Sequence, residues 1–205
     1  MRRAVLWTAG AVASAIIGVL IGWKLEPLLP ADATCDNPVG LSPVESRVEI
    51  GLDLGEYPAD PVTGTDFVAA NLVDGDPTTA WVEARDDRGE GGELRFTFDA
   101  DDDGAFDDTI TPTLVCVRNG FVKRPDLFRA NARLSTVDVT TGGQTHRTTL
   151  PVKGADRMLL MDPLGLSRTP TAAVTLVIVA TNAGETASDA NDLAISDVVF
   201  YTSGG

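Results

Sequence analysis

The sequence predicts an all-β protein, an antiparallel β-sandwich or jelly roll, preceded by one transmembrane helix. Short segments in which apolar and polar residues alternate are typical of strands with one buried face, and Gly- and Pro-containing turns separate them. An uncharged run of residues, 4–23, lies near the N-terminus. No amphipathic helical pattern follows that run, so sheets and not helices are expected to build the core.

The length of 205 residues leaves room for one domain of about 150–170 residues and an N-terminal appendage. We expect residues 1–24 to form a cytoplasmic N-terminus and anchor helix, residues 25–45 a stalk, and residues 46–205 the β-sandwich. The chain carries 30 acidic and 16 basic residues, a net charge of −14. Such a charge repels nucleic acid, which is therefore not an expected partner.

The run Ala4–Trp23 contains 20 uncharged residues, and a helix of that length rises about 30 Å, enough to cross a bilayer. Arg2 and Arg3 precede it and only Lys24 follows closely. By the positive-inside rule the N-terminus lies in the cytoplasm and the domain outside. The sequence thus predicts a single-pass protein of the cell membrane, with the lipid bilayer as a partner.

Two alternatives concern this N-terminal run. A cleaved signal peptide would use Ala31-Asp32-Ala33, which resembles an A-x-A site. Lys24 and Glu26 separate the site from a run that is long for a signal peptide, which favours an uncleaved anchor. Gly18-Val-Leu-Ile-Gly22 fits G-x-x-x-G, the pattern through which two helices approach closely, so a helix-mediated homodimer is a weaker expectation.

Individual strands follow from local patterns. Alternation predicts strands at Val48–Leu54 and Leu94–Phe98, and Gly142-Gly143 predicts a hairpin turn. Further strands are predicted at Thr113–Arg118, Leu134–Thr140, Thr145–Leu150, Val174–Ala180 (apolar on both faces and hence central) and Ala194–Tyr201.

The stretch Asn71–Glu83 combines a turn and a large aromatic residue. Asp74-Gly75 is a tight-turn signal, Pro77 restricts the next bend, and Trp81 follows. We expect Trp81 to close one end of the core, with its N–H bonded nearby. The pattern of Asp74, Gly75 and Trp81 therefore indicates a structural motif and names no reaction.

Three segments resemble one family: Asn71–Glu83, Asn119–Lys123 with Asp126–Arg133, and Asn191–Tyr201. Their order and spacing are similar to those of the discoidin-like NADase-type glycan-binding or translocation domain, across most of the chain after Ser46. The resemblance implies a galactose-binding-like β-sandwich used for recognition. It does not extend to the catalytic, NAD-cleaving domain from which the family takes its name.

A basic and amide-rich group lies in and beside the second of these segments. Its members could donate hydrogen bonds to sugar hydroxyls or to an anion, with Phe121 or Phe128 as a stacking face. The candidates are Asn119, Lys123, Arg124, Arg129, Asn131 and Arg133. In the alternative interpretation the amides brace loops and the arginines pair with the many carboxylates.

An Asp-rich stretch fits D-x-D-x-D-G, the beginning of an EF-hand-type calcium loop. The ligands would be Asp99, Asp101, Asp103, the carbonyl of Ala105, and Asp107. Ile110 stands where that motif has a bidentate Glu, so calcium would bind weakly. The alternative is an acidic turn between two strands, and no cofactor other than this calcium is expected.

The chain has two cysteines, Cys35 and Cys116. In an exported domain they are expected to form one disulfide, although Cys116 in an apolar strand could instead be a small core residue. Without a Cys-x-x-Cys pair or a Cys/His cluster, the sequence does not predict a zinc site.

Motifs of catalysis are absent from the sequence. His146 is its single histidine, and no nucleophile elbow, P-loop or dinucleotide fingerprint occurs. A hydrolase is therefore disfavoured. We expect a non-catalytic, membrane-tethered, extracytoplasmic module that recognises a glycan or another cell-envelope ligand. The alternative is a structural or interaction subunit of a membrane complex that binds protein through a sandwich face.

Overall fold

The computed structural model describes residues 33–59, 65–85, 87–185 and 192–203. The predicted transmembrane helix at 4–23 and its Gly18–Gly22 motif lie outside these ranges. Within them, no helix has the length and apolar character needed to cross a membrane.

Nine strands and one short α-helix form the described part of the chain. The strands are β1 (Leu41–Ile50), β2 (Trp81–Val82), β3 (Glu93–Asp99), β4 (Leu114–Asn119), β5 (Arg133–Thr141), β6 (Gln144–Thr149), β7 (Asp162–Leu164), β8 (Ala173–Asn182) and β9 (Ala194–Ser203). Helix α1 spans Pro125–Ala130, and single 3-10 turns occupy Ala69–Leu72 and Ala155–Arg157. Every pairing between these strands is antiparallel, which confirms the all-β, antiparallel part of the predicted fold class.

The strands form two sheets that share β1. The first sheet has the order β6-β5-β8-β3-β1, and the second has the order β1-β9-β4-β7, with β2 also paired to β9. Residues Leu41–Val44 pair with β9, whereas Glu45–Ile50 pair with β3. The chain therefore crosses from one layer of the sandwich to the other within a single strand.

Strand β1 begins at Leu41, so the predicted start of the domain at Ser46 falls inside a strand. The first half of β1 contains Pro43 and does not alternate regularly between buried and exposed residues, so it lacked the sequence signal that identified Val48 and Ile50. An antiparallel bridge between Thr34 and Asn37 precedes it. Ordered structure thus reaches back into the predicted stalk.

Apolar side chains of the two sheets meet between them. The rings of Phe96 and Phe98 on β3 each lie 5.0 Å, centroid to centroid, from the ring of Phe200 on β9. Trp81 is completely buried in the same cluster, and its Nε1–H donates to the carbonyl of Gly55 at 3.2 Å. The predicted role of Trp81 in the core, with a satisfied N–H, is confirmed.

The turn before Trp81 is stabilised by its own side chains. Gly75 has φ +70°, a conformation that glycine adopts without strain. One carboxylate oxygen of Asp74 accepts the N–H of Asp76 at 2.9 Å, and the other accepts the hydroxyl of Thr79 at 2.7 Å. These bonds position the chain for the buried tryptophan.

Cys35 and Cys116 form a disulfide that joins positions 81 residues apart. Cys116 lies on the outer face of β4, since its neighbours Val115 and Val117 belong to the main core. A separate apolar cluster surrounds the disulfide and includes Leu114 and Met161. The segment before β1 is thereby fastened to the outside of the second sheet.

The predicted hairpin is confirmed as β5–β6, with Gly142 and Gly143 at positive φ in its turn. Strand β8 lies between β5 and β3, as expected of a central strand. Helix α1 was not predicted, because six residues are too few to show a helical period. Pro125 begins it and Phe128 is its buried residue.

Candidate functional site

A pocket of about 240 Å³ opens where β4 ends and β9 begins. Distant parts of the chain build it. They are strand β2 and the segment before it, the second residue after β4, helix α1 with the residue after it, and the second residue before β9. Its lining residues are Tyr57, Phe67, Val82, Phe121, Leu127, Ala130, Asn131 and Asp192. We call it the aromatic pocket.

Three of these residues form an aromatic wall. The rings of Tyr57 and Phe67 lie 6.0 Å apart at 83°, and those of Phe67 and Phe121 lie 5.9 Å apart at 81°. Such edge-to-face pairs stabilise one another, so the wall is rigid. Phe121 is buried whereas Tyr57 is 42% exposed, which leaves the ring of Tyr57 accessible at the rim.

Two polar side chains stand beside this wall. The Nδ2 of Asn131 donates to the carbonyl of Leu127 at 3.0 Å, which fixes the amide at the end of α1. The main-chain carbonyl of Asp192 accepts the N–H of Ala132 at 2.8 Å and fixes the half-buried Asp192 near it. An apolar wall with few, well-placed polar groups is typical of a small-molecule site.

Asn119, predicted to bind a ligand, instead joins two strands. It is buried at the end of β4, and its Nδ2 donates to the carbonyl of Leu134 at 2.8 Å. The N–H of Leu134 donates back to Oδ1 of Asn119, also at 2.8 Å. Because this amide is already used twice inside the protein, the ligand-binding role predicted for Asn119 is replaced by a scaffold role.

Arg133, another predicted ligand-binding residue, has a similar scaffold role. Its guanidinium carbon lies 4.5 Å from the centre of the Phe128 ring. It donates to the main-chain carbonyls of Phe128 and Asn131. The side chain is buried, and loss of solvent lowers its pKa. Arg133 therefore supports the α1 loop from within.

Of the six predicted ligand-binding residues, only Asn131 lines the aromatic pocket. Arg124 forms an exposed ion pair with Asp126 at 3.0 Å, and Lys123 and Arg129 are exposed on the same loop. These three cations lie outside the pocket lining. The ion pair of Arg124 agrees with the alternative interpretation of the sequence, in which the arginines pair with carboxylates.

Sequence reasoning missed most of the pocket. Tyr57 and Phe67 lie in a stretch without strand or helix periodicity, and only their antiparallel bridge brings them together. Leu127 and Ala130 belong to the helix that was not predicted. Asp192 lies within the third family-like segment, so the resemblance pointed to this part of the chain without identifying the residue.

The Asp-rich loop brings three carboxylates together at the end of β3. One oxygen each from Asp99, Asp101 and Asp108 lies within 4.8 Å of the others. Asp108, which was not predicted, belongs to this cluster, whereas Asp103 and Asp107 do not. Repulsion from Asp103 and Asp108 raises the pKa of Asp101, which is the electrostatic condition that a cation would relieve.

The same carboxylates also accept main-chain hydrogen bonds. Asp99 accepts the N–H of Gly104 at 2.8 Å, Asp108 accepts that of Ala100 at 2.7 Å, and Asp103 accepts that of Ala105 at 2.7 Å. These bonds shape an acidic turn without any ion. Calcium binding by this loop therefore stays a prediction, with Asp99, Asp101 and Asp108 as its candidate side-chain ligands.

A second cavity, of about 270 Å³, lies between β1, β9 and the Asp74–Gly75 turn. Asp197 on β9 lines it and is almost fully buried, and its Oδ1 has no hydrogen-bond partner in the described part of the chain. Burial raises the pKa of Asp197 to about 6, and nearby Arg118 partly opposes this rise. Burial thus favours the protonated form of the Asp197 carboxyl.

The single histidine, His146, lies on the edge strand β6 and is exposed. It faces Val139 of β5 across the hairpin and is not among the residues that line the aromatic pocket. The described pocket thus contains no histidine that could act as a general base there.

The two-layer antiparallel sandwich, with its small pocket at one end, defines a discoidin-like domain. A model of the NAD glycohydrolase translocation F5/8 type C domain matches residues 60–201. The chain therefore belongs to that family, and the resemblance noted in its sequence is confirmed. No curated protein matches the chain.

Several solved structures match the chain at low sequence identity. A mutant of the arabinofuranosyltransferase AftD from Mycobacteria has a TM-score of 0.50 at 14% identity, covering 77% of this chain and 11% of that chain. The family 32 CBM from C. perfringens NanJ in complex with galactose has a TM-score of 0.48 at 10% identity, covering 79% and 99% of the two chains. A CBM32 domain from Clostridium perfringens in complex with GalNAc-β-1,3-galactose has a TM-score of 0.49 at 11% identity, covering 78% and 100%.

Proposed function

We propose that this protein is a non-catalytic, membrane-tethered module that binds a glycan in the aromatic pocket outside the cytoplasm. The observation that carries the proposal is that the exposed Tyr57 and the fixed amide of Asn131 line the same pocket. A sugar presents one face of C–H groups and a rim of hydroxyls. An aromatic ring packs against the C–H face, and an amide forms hydrogen bonds with the hydroxyls.

The size and charge of the pocket narrow the class of glycan. A volume of about 240 Å³ fits one or two sugar rings rather than a long chain. Asp192 is the charged residue of the lining, and the chain as a whole carries −14. Both features disfavour sialic or uronic acids, so the proposed ligand is a terminal neutral sugar.

The tether and the compartment are part of the same proposal. The uncharged run at 4–23 supports an anchor, and the arginines before it support an external domain. The Cys35–Cys116 disulfide agrees with this compartment, because disulfides persist in oxidising environments. Membership of an F5/8 type C family agrees with recognition rather than catalysis.

A glycan array probed with the full-length chain in detergent tests the proposal. We expect selective binding of neutral terminal sugars, lost in Tyr57→Ala and in Asn131→Ala. Tyr57→Phe keeps the ring and should retain most of the binding. Leu52→Ala is the matched control, since Leu52 is 97% exposed and is not among the residues that line the pocket. Equal binding by wild type and Tyr57→Ala would contradict the assigned site.

The alternative is an interaction subunit that binds protein through a sandwich face. Within the described ranges, the exposed large hydrophobic residues are Val39, Leu52, Tyr57, Val152 and Leu159. They lie outside the strands rather than along one strand face, with Val152 and Leu159 both in the segment between β6 and β7. No strand face among the described residues therefore carries a broad apolar patch of the kind that binds protein. Failure on the array together with capture of one stoichiometric membrane protein would favour this alternative.

A further inference from the structure

We propose that the loop between β6 and β7, residues 151–161, rests on the zwitterionic surface of the lipid bilayer beside the anchor. The inference depends on the proposed membrane tether. It adds a second, non-covalent contact that sets how the domain sits on the membrane.

The loop exposes two large apolar side chains. Val152 is 75% exposed and Leu159 is 57% exposed. Val39, 51% exposed, lies on the segment that leads into β1. Two large apolar side chains exposed on one loop suit contact with a partner or a membrane.

The loop is fastened to the segment through which the chain enters the domain. Oδ1 of Asp36 accepts the N–H of Met161 at 3.2 Å, and Met161 packs in the apolar cluster around Cys35. Asp36 and Val152 also line a common cavity of about 190 Å³. Val152 and Met161 of the loop thus lie next to Cys35 and Asp36, close to the first described residue of the chain.

The distance to the membrane is limited by the chain itself. Nine residues, 24–32, separate the end of the predicted span at Trp23 from Ala33. Even fully extended, these residues span at most about 30–36 Å. The prolines at 27 and 30 also restrict the conformations that the segment can adopt. The loop is therefore held within reach of the lipid headgroups whenever the anchor spans the bilayer.

The loop is already ordered before it meets a membrane. A buried ion pair joins Lys153 to Asp162 at 2.8 Å, and Nζ of Lys153 donates to the carbonyl of Leu160 at 2.7 Å. Nη1 of Arg118 donates to the carbonyl of Leu159 at 2.7 Å. These bonds fix both ends of the loop, so binding loses little conformational entropy.

Charge identifies the lipid class. The exposed charges of the loop, Asp156 and Arg157, are of opposite sign, whereas the chain has a net charge of −14. Anionic lipid would repel the chain, and the loop offers no cluster of cations to overcome this repulsion. Zwitterionic phosphatidylcholine is therefore the matching surface, bound through apolar contact.

Full-length protein in phosphatidylcholine nanodiscs provides the test. An environment-sensitive fluorophore is attached to a cysteine introduced as Val152→Cys or Leu159→Cys, and the nanodisc lipid carries a nitroxide. We expect quenching at least about twice that at the control position, because interfacial apolar groups lie ~5–10 Å into the headgroup region. Leu52→Cys is the control, since this residue is equally apolar, more exposed, and on the loop after β1.

The outcomes separate the two proposals. A chain that fails to enter nanodiscs overturns both the anchor and the lipid contact. A chain that enters nanodiscs but shows equal, weak quenching at positions 152, 159 and 52 overturns the lipid contact alone. Glycan binding measured on the same variants should be unchanged, because neither Val152 nor Leu159 lines the aromatic pocket.

Discussion

Asn119 and Leu134 exchange two hydrogen bonds of 2.8 Å each, one in each direction between the side-chain amide and the main chain. Asn119 ends β4 of the second sheet, and Leu134 lies in β5 of the first. A side-chain amide thus imitates a strand partner and joins the two layers of the sandwich. This joint lies beside the α1 loop that lines the aromatic pocket.

Asn119→Ala is expected to lower the free energy of unfolding by about 2–4 kcal/mol, because it leaves the buried N–H and carbonyl of Leu134 without their partners. Chemical denaturation measures the loss. Arg124→Ala is the control, and removing its exposed ion pair with Asp126 should cost less than about 1 kcal/mol. If Asn119→Ala were as stable as wild type but failed to bind glycan, Asn119 would be a ligand-binding residue after all.

Trp81→Ala should destabilise the domain by about 3–5 kcal/mol, since it empties a fully buried site in the main core. Thermal melting of the two proteins measures the effect. Trp81→Phe keeps an aromatic ring and loses the hydrogen bond to Gly55, so it should fall between them. An unchanged melting temperature in Trp81→Ala, with loss of ligand binding, would show that Trp81 acts in recognition instead.

Asp197 should make stability depend on pH. Burial raises its folded pKa from 3.8 to about 6, so the folded state holds this proton more tightly than the unfolded state. The protonated Asp197 therefore stabilises the folded state at low pH, and this stabilisation is lost as the pH rises through about 6. Relative to the protonated form, burying the ionised carboxylate costs about 3 kcal/mol.

Asp197→Asn removes this contribution. The stability of wild type relative to Asp197→Asn should therefore rise by about 1–1.5 kcal/mol between pH 8 and pH 5. Denaturation curves of both proteins at several pH values measure the difference, and other titrating groups cancel from it. Parallel pH profiles of the two proteins would show that Asp197 does not titrate in this range.

Calcium should stabilise the protein through the Asp-rich loop. A site of 10⁻⁴–10⁻³ M affinity would raise the free energy of unfolding by about 0.5–1.5 kcal/mol in millimolar calcium. Calorimetry with and without calcium measures the gain, which Asp101→Asn with Asp108→Asn should abolish. Asp107→Asn is the matched control, because Asp107 lies in the same loop but outside the carboxylate cluster. If wild type, the double variant and Asp107→Asn all respond to calcium identically, or none responds, the loop is an acidic turn that does not bind calcium.

Local patterns predicted the parts of the fold that depend on neighbouring residues. The β5–β6 hairpin followed from Gly142-Gly143, and the buried role of Trp81 followed from the turn that precedes it. The first half of β1 was missed because its partner, β9, lies more than 150 positions away in the chain and Pro43 interrupts the alternation.

The pocket was harder to predict than the fold. Tyr57, Phe121 and Asp192 converge only after both sheets have formed, so no spacing in the sequence relates them. Polar residue type was also a poor guide. Asn119 and Arg133 have side chains suited to bind a ligand, but both side chains are buried and donate their hydrogen bonds to main-chain carbonyls.

The disulfide also determines how the domain bears load. A pull on the N-terminal segment reaches Cys35 and passes directly to Cys116, in the middle of β4, without peeling β1 from β9. From Cys116 the same strand runs to Asn119, two residues before Phe121 at the wall of the aromatic pocket. Tension between a bound ligand and the N-terminus would thus travel along one central strand, sheared against β9 and β7 on its two sides, while the 80 residues between the cysteines stay out of the force path.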